Sequence, residues 1–462
     1  MTQIKKLDKY IKLIEVFDVF KDYKDVCFLS SSQKNNLGRY SIIGVNPYHN
    51  IVVKDNKTII NGQEVDIDFY EYLKKYLEDN KVKNQSKLPI EQGAIGYISY
   101  DFGMKNKDVA TRHHKSEIYD VVFNFYDNFI IEDNLAEETY ILANGKLCVE
   151  EISTKQIEDK IRDAIGSTSV DNLTIQEEQT EQQAQNQEYS KTHISITSDF
   201  TKEGYQEAIS KMVNYMIEGD IYVANMTRRI EVTSPKTPYE MFKTLSRNNP
   251  SAFGGYFSYD DYTIVSASPE RFLKLKDGHV NTKPIKGTRP RGNTLEEDAA
   301  NRNELINSEK DKSELLMVVD LERNDLNKVC TNVRVNKLYE IEEHATVFHL
   351  VSDINGILKP GLNAADLIKA TFPGGSITGT PKKRAMEIID ELEQTNRGIY
   401  TGSIGYISLN GDMDLNIIIR TALYKDGKYQ IGVGGGITYE SESDFEYEET
   451  NQKALALLKS LE

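Results

Sequence analysis

Twice in the second half of the chain an alternating apolar run meets Asp-Gly and is followed at once by another. The segments are FLKLKDGHVNT over 272–282 and TALYKDGKYQIGVGG over 421–435. A two-residue Asp-Gly link takes positive φ at both central positions, and its twist matches that of two adjacent antiparallel strands. A parallel connection needs a crossover of a dozen residues or more, which these links cannot supply. Antiparallel hairpins are therefore expected to dominate the sheets. NIVVKDNKTIING (50–62) and DVVFNFYDNFIIED (120–133) carry the strand signal into the first half. There the glycine-punctuated LGRYSIIGVNP and GAIGYISYDFG stand as landmarks.

Long helical patterns lie between these strands. TLEEDAANRNELINSEKDKSELLMVV reads as one helix, with Thr294 and Glu297 in capping-box spacing, and SDFEYEETNQKALALLKSL repeats the spacing with Ser443 and Glu446. At the N-terminus, Ile4, Leu7, Ile11 and Ile14 recur at helical intervals. Residues 166–193, rich in Gln, Glu, Ser and Thr, have almost nothing to bury and read as a polar linker or loop. This divides the chain into an α/β region at 1–165 and a second region at 194–462.

With 56 Lys and Arg against 72 Asp and Glu, the net charge of −16 repels nucleic acid and anionic membranes, so neither is an expected partner. An anionic ligand would need a local basic site. Three scattered cysteines, Cys27, Cys148 and Cys330, fit neither a disulfide framework nor a metal cluster, and point to a reducing cytoplasm. No stretch has the length and hydropathy of a signal peptide or a membrane span.

Several side chains stand where chemistry is expected. Asp311 and Glu314 fall three apart, ahead of the apolar LLMVV, and a carboxylate at the edge of a buried segment is costly without a cation. An ordinary solvated helix face is the plainer interpretation. Glu446 and Glu449 repeat the pattern. Glu446 also fits a helix cap, and Glu449 with Lys453 an i,i+4 pair. Two acidic helix starts facing one cavity suit magnesium, which keeps waters and takes one or two carboxylates. Gly434, Gly435 and Gly436 would let a ligand approach the main chain, though a glycine bulge explains them as well. FPGGSITGTPKKRAMEIIDELE is a glycine-rich loop running into a helix start, but Thr380-Pro381 replaces the Lys-Ser/Thr of a Walker loop. His344 and His349 flank an apolar strand, where a histidine is more often a core residue than a base. Arg420 closes the apolar LNIIIRTAL, and its burial there would demand an anion.

Taken together, GDIYVANMTRR, SASPERF, PIKGTRPRG, SELLMVVDLERNDL, FHLVSDINGIL, FPGGSITGTPKKRAMEIIDELE, YTGSIGYIS, IIIRTALY, GVGGGI and EYEETNQKA resemble the chorismate-utilising enzymes over nearly the whole chain. The resemblance implies two stacked, mainly antiparallel sheets flanked by helices, with residues 1–165 similar to the N-terminal region of anthranilate synthase component I. It implies that Glu314 and Glu449 ligate Mg2+ with Glu446 behind them, and that Tyr400, Arg420 and the Gly434–Gly436 backbone receive the enolpyruvyl carboxylate. Ser376 and His349 would lie near the ring carboxylate, Lys453 in the substrate pocket, and Glu270 would be the general acid for the C4 hydroxyl.

Lys286 separates the branches of the family. Anthranilate synthases usually read Pro-Ile-Ala-Gly-Thr where this chain has Pro-Ile-Lys-Gly-Thr, the form typical of the branch that aminates chorismate at C4 on the way to p-aminobenzoate and folate. There the lysine is thought to attack C2. A lysine nucleophile needs its neutral form, which desolvation, magnesium and the neighbouring Arg289 and Arg291 would favour. A charged clamp on a carboxylate is the rival role, anthranilate synthesis the rival activity, and a non-catalytic chorismate-binding regulator the rival class. Three features depart from the family, one being that NPSAFGGYF lacks the Pro-Tyr-Met run of anthranilate synthases. Val223 replaces a common glutamine, and FLSSS lacks the glutamate of a tryptophan feedback pocket, which argues against tryptophan inhibition. No glutaminase motif is recognisable, so ammonia is expected from a separate glutamine amidotransferase subunit.

Overall fold

The computed structural model describes residues 2–114, 116–167, 194–344 and 347–462. Both Asp-Gly links are hairpin turns. Asp277 and Gly278 have φ of 49° and 78°, Asp426 and Gly427 φ of 50° and 79°, and the flanking strands pair in antiparallel register. Asp55-Asn56 turns the chain in the same way between Tyr40–Lys54 and Lys57–Ile60.

Every strand pairing described is antiparallel, and the strands form two layers. One runs through Val223–Thr233, Lys428–Ile437, Thr421–Lys425, Tyr262–Ser268, Phe253–Ser258 and Cys27–Ser30 to Tyr40–Lys54. The other runs from Val121–Asp133 through Gly93–Ile98, Ser403–Ser408, Met413–Asn416, Arg271–Lys276 and His279–Thr282 to Val347–Leu358. The long strands Tyr40–Lys54 and Val121–Asp133 pair along their length and bridge the layers, with a register shift at Pro47 to His49. Strands from before and after the polar stretch thus share both sheets.

The order of burial follows from this arrangement. Ile42, Tyr97, Tyr126, Phe129, Phe257 and Ile404 pack between the sheets. Helices cover the outer faces: Glu309–Val329 and Ala364–Thr371 contribute to one outer core, Pro238–Asn248 and Ser443–Leu461 to the other. The α/β architecture of two antiparallel sheets flanked by helices is that expected from the sequence.

Four local expectations are corrected. The N-terminal periodicity does not make a helix: Gln3–Lys6 is an edge strand on Glu138–Ala143, because the vacant sheet edge outweighs a weak local pattern. The long helix after Thr294 is two helices, Leu295–Asn307 and Glu309–Val329, broken at Ser308, whose side chain caps the second by accepting from the Asp311 N–H. Ser443 is the first helical residue and not the cap, which is Glu442, with no side-chain capping bond. LNIIIRTAL is not one strand, since Met413–Asn416 ends before Ile417 and Thr421–Lys425 begins after Arg420. Helix Glu150–Ser167 runs into the start of the polar stretch, and the rest of that stretch lies outside the described residues. Among the described residues no helix is long and apolar enough to cross a membrane.

Candidate active site

The strand Lys428–Ile437 brings the site together because Gly434, Gly435 and Gly436 near its end lack side chains. Gly435 lies opposite Met226 and Gly436 opposite Asn225 on the neighbouring strand. A Cβ on Gly435 would stand 3.1 Å from Glu446 Oε2 and 3.8 Å from both Glu449 carboxylate oxygens. A Cβ on Gly436 would stand 2.9 Å from Lys286 Nζ and 3.6 Å from Glu314 Oε2. Three carboxylates from two helices and one ammonium group therefore surround a surface of bare backbone.

These carboxylates differ electrostatically. Burial raises the Glu314 pKa, opposed by Lys286 and Lys310. Glu446 is 2 % exposed and also raised by burial, while the Ser441 hydroxyl donates to its Oε1 at 2.7 Å. Its Oε2 is buried without a hydrogen-bond partner. For Glu449 burial pushes upward, but Lys453, Lys286 and Lys310 prevail and hold it below the usual range. Lys453 Nζ lies 2.5 Å from Glu449 Oε1 and donates to the Gly434 carbonyl at 2.8 Å, which ties the helix to the glycine strand. Among the described residues no three metal-binding side chains are gathered into a closed cage. Two carboxylates with a third behind them, one oxygen of it unpartnered, match a cation that keeps water or substrate oxygens as its other ligands.

Lys286 lies half-buried on Ile285–Pro290 and makes no hydrogen bond or ion pair among the described residues. Arg289 and Arg291 do not support it as expected. Arg289 is bound by Glu304 at 2.8 Å and Asp311 at 3.1 Å, and Arg291 by Asp298 at 2.7 Å, so their charges are locally cancelled. The pair with Arg289 also accounts for Asp311.

Glu270 occupies the turn between Tyr262–Ser268 and Arg271–Lys276 and is 7 % exposed. Burial raises its pKa, and the Ser376 hydroxyl, Lys286, Lys453 and Arg420 pull the other way. A buried carboxyl so placed can hold a proton and give it up. His349, opposite Thr288 in the sheet, is buried with Nδ1 unpartnered. Burial, then His344 and Arg420, lower its pKa to about 4, so it is neutral at physiological pH.

Arg420 corrects a further expectation. Its side chain is reached by solvent and forms no ion pair or hydrogen bond among the described residues, although protein crowds round it and burial lowers its pKa. A cation both surrounded and solvated lines a cleft, so it needs no protein anion. Tyr400 packs flat over Gly432, where any Cβ would strike its ring, and burial keeps it a neutral phenol. At the helix start the Lys382 ammonium is bound by Asp325 and the carbonyls of Thr371 and Pro373. Val223, 5 % exposed beside Thr380, makes an apolar wall.

Two features escaped sequence reasoning. Arg397 and Glu393 form a fully buried pair at 2.7 Å, and Arg397 also binds the carbonyls of Ile377 and Asn225, bracing the loop that carries Ser376. Glu322 is buried beside Thr282. It falls on the same helix face as Glu314, Val318 and Asp325, a stripe the periodicity of 313–326 would have exposed.

The family model for chorismate binding enzymes matches residues 24–459. The chain is 35% identical over 434 residues to aminodeoxychorismate synthase component 1 of Bacillus subtilis (strain 168), covering 92% of this chain and 90% of that one. It is 35% identical over 455 residues to anthranilate synthase component 1 of Acetivibrio thermocellus, covering 94% and 90%. The solved structure of anthranilate synthase component I from Streptococcus pneumoniae TIGR4 superposes with a TM-score of 0.77 at 30% identity, over 92% of this chain and 93% of that one. The chain belongs to the chorismate-binding enzyme family, and is a chorismate-utilising enzyme.

Proposed function

We propose that this protein is an aminodeoxychorismate synthase component I, which aminates chorismate at C4 with ammonia to give 4-amino-4-deoxychorismate for p-aminobenzoate and folate synthesis. The observation that carries this is Lys286, an unpaired ammonium group facing Gly436 and Glu314, where the anthranilate-forming relatives usually have alanine. Once its proton is lost to solvent the neutral amine attacks C2, both conjugated ring double bonds shift by one position, and the C4–O bond breaks as Glu270 gives its proton to the departing hydroxyl, releasing water. Ammonia then bonds to C4, the electrons shift back, and Lys286 leaves C2 as an amine. The new ammonium group returns one proton to the Glu270 carboxylate.

Tyr400, Arg420 and the Gly434–Gly436 backbone would hold the enolpyruvyl carboxylate, with neutral His349 and Ser376 near the ring. Glu314 and Glu449, with Glu446 behind them, would hold magnesium, which when bound supplies positive charge against the ring carboxylate. A separate glutamine amidotransferase subunit would supply ammonia. That the B. subtilis relative is named a component 1 supports this.

Anthranilate synthesis is the second reading, favoured by the S. pneumoniae likeness. Product analysis separates them, since anthranilate is aromatic and fluorescent and aminodeoxychorismate is not aromatic. With chorismate, magnesium and ammonium salt the purified chain should yield the aminated, non-fluorescent product, and should not use glutamine alone. Anthranilate as the product, or no turnover, contradicts the proposal.

A further inference from the structure

Glu322 is used by no step above, yet it lies next to the parts that position Glu270. It is 8 % exposed on helix Glu309–Val329, and a Cβ on Gly375 would stand 2.9 Å from its Cγ. The next residue, Ser376, bears on the Glu270 carboxyl and favours its ionised form. Glu322 Oε2 is 2.9 Å from Thr282 Oγ1, which is also 2.7 Å from the carbonyl of Phe272, two residues beyond Glu270. A threonine hydroxyl has one hydrogen. If the Phe272 carbonyl takes it, the contact with Glu322 is a hydrogen bond only when that carboxyl is protonated and donates.

The charged groups facing Glu322 are Glu270 and Asp325, which favour its neutral form, and Lys382, which opposes it but is already bound by Asp325. Burial is the largest influence, and the Glu322 pKa is raised to about 8. Glu270, by contrast, faces Lys286, Lys453 and Arg420, all of which favour loss of its proton.

We propose that Glu322 is a positioning residue for Glu270, the two carboxyls acting as a pair that keeps one proton between them across neutral pH. Both carboxyls are buried and the charge of Glu270 raises the cost of a second charge on Glu322, so the pair loses its protons in two separated steps. Between those steps a constant fraction of molecules carries the proton on Glu270, ready for the leaving hydroxyl, although three cations face it. This rests on Glu270 being the acid of the reaction above.

The test is Glu322→Gln, which keeps shape and removes the second ionisation. Chorismate consumption, whatever the product, is followed as kcat/KM from about pH 6 to about 9.5 at fixed free ammonia. Taken as the ratio of variant to wild type, which cancels the Lys286 titration common to both, kcat/KM should fall with rising pH and level off above about pH 8. An unchanged basic limb, or a uniform loss at every pH as a merely structural side chain would give, overturns the proposal. Infrared difference spectra of the ligand-free protein give a readout that needs no activity. A protonated-carboxyl band present at neutral pH should titrate away near pH 8 in the wild type and be missing from the variant. If that band is present while no aminated product forms, the functional reading fails and the carboxyl pair stands. If the band is absent from the wild type, the pair fails.

Discussion

Lys286 and Glu314, on different elements and 28 positions apart in sequence, approach one point above Gly436. A Cβ built there would lie 2.9 Å from the lysine Nζ and 3.6 Å from the glutamate Oε2. Glycine is demanded at this position by what must face it.

Gly436→Ala should accordingly damage catalysis and spare the fold. The methyl group would push the flexible Lys286 side chain aside without meeting backbone, and a misplacement of about 1 Å is worth on the order of a hundredfold in rate. Chorismate turnover should fall by about that factor with the thermal midpoint nearly unchanged. Near-normal turnover would remove Gly436 from the site.

Glu314→Gln and Glu449→Gln should each abolish magnesium-dependent turnover, since each removes a hard anionic oxygen with little change of shape. Magnesium titration followed by calorimetry should show weakened binding in both variants. Either variant with an unchanged magnesium requirement and normal rate would contradict the ligand assignment.

His349 should make stability depend on pH. Its pKa of about 4 in the folded protein lies below its ordinary value of 6.5, so the unfolded chain binds the extra proton first. Its contribution is fully present above pH 6.5 and is lost as pH falls toward about 4. Over that window the wild type should lose up to about 3 kcal/mol relative to His349→Gln, measured by urea unfolding. A pH-independent difference between the two proteins would show that His349 is not held neutral by burial.

What the sequence disclosed was whatever depended on local chemistry. Asp277-Gly278 and Asp426-Gly427 announce their turns because few dipeptides take positive φ twice. The gathering of Glu314, Glu446, Glu449 and Lys286 was legible only through the resemblance, because nothing local says that two helices and a strand converge on Gly435 and Gly436. The errors have two causes. Gln3–Lys6 was drawn into a sheet edge, Ser308 broke a helix whose pattern ran on, and Arg289 and Arg291 found Glu304, Asp311 and Asp298. The edge strand and the arginine pairs depended on neighbours supplied by the fold, whereas the break at Ser308 is a local cap set inside a pattern that ran on. Glu322 was passed over for another reason. A glutamate inside ERND looks like solvated charge until the helix face it occupies is seen to be buried.

The central claim is that Lys286 bonds to the ring, and intact mass tests it most directly. Mixed with chorismate and magnesium and deprived of ammonia, the wild-type chain should gain the mass of chorismate less one water. The increment should map to the peptide containing Lys286 and form without borohydride, since the adduct is a secondary amine and not a Schiff base. Lys286→Ala should lose the adduct and most turnover while still binding chorismate. Lys286→Arg keeps the charge but offers no neutral amine, so it should form no adduct and little aminodeoxychorismate. Substantial C4 amination by the arginine variant, with no adduct on the wild type, would contradict the account and leave Lys286 a clamp for a carboxylate.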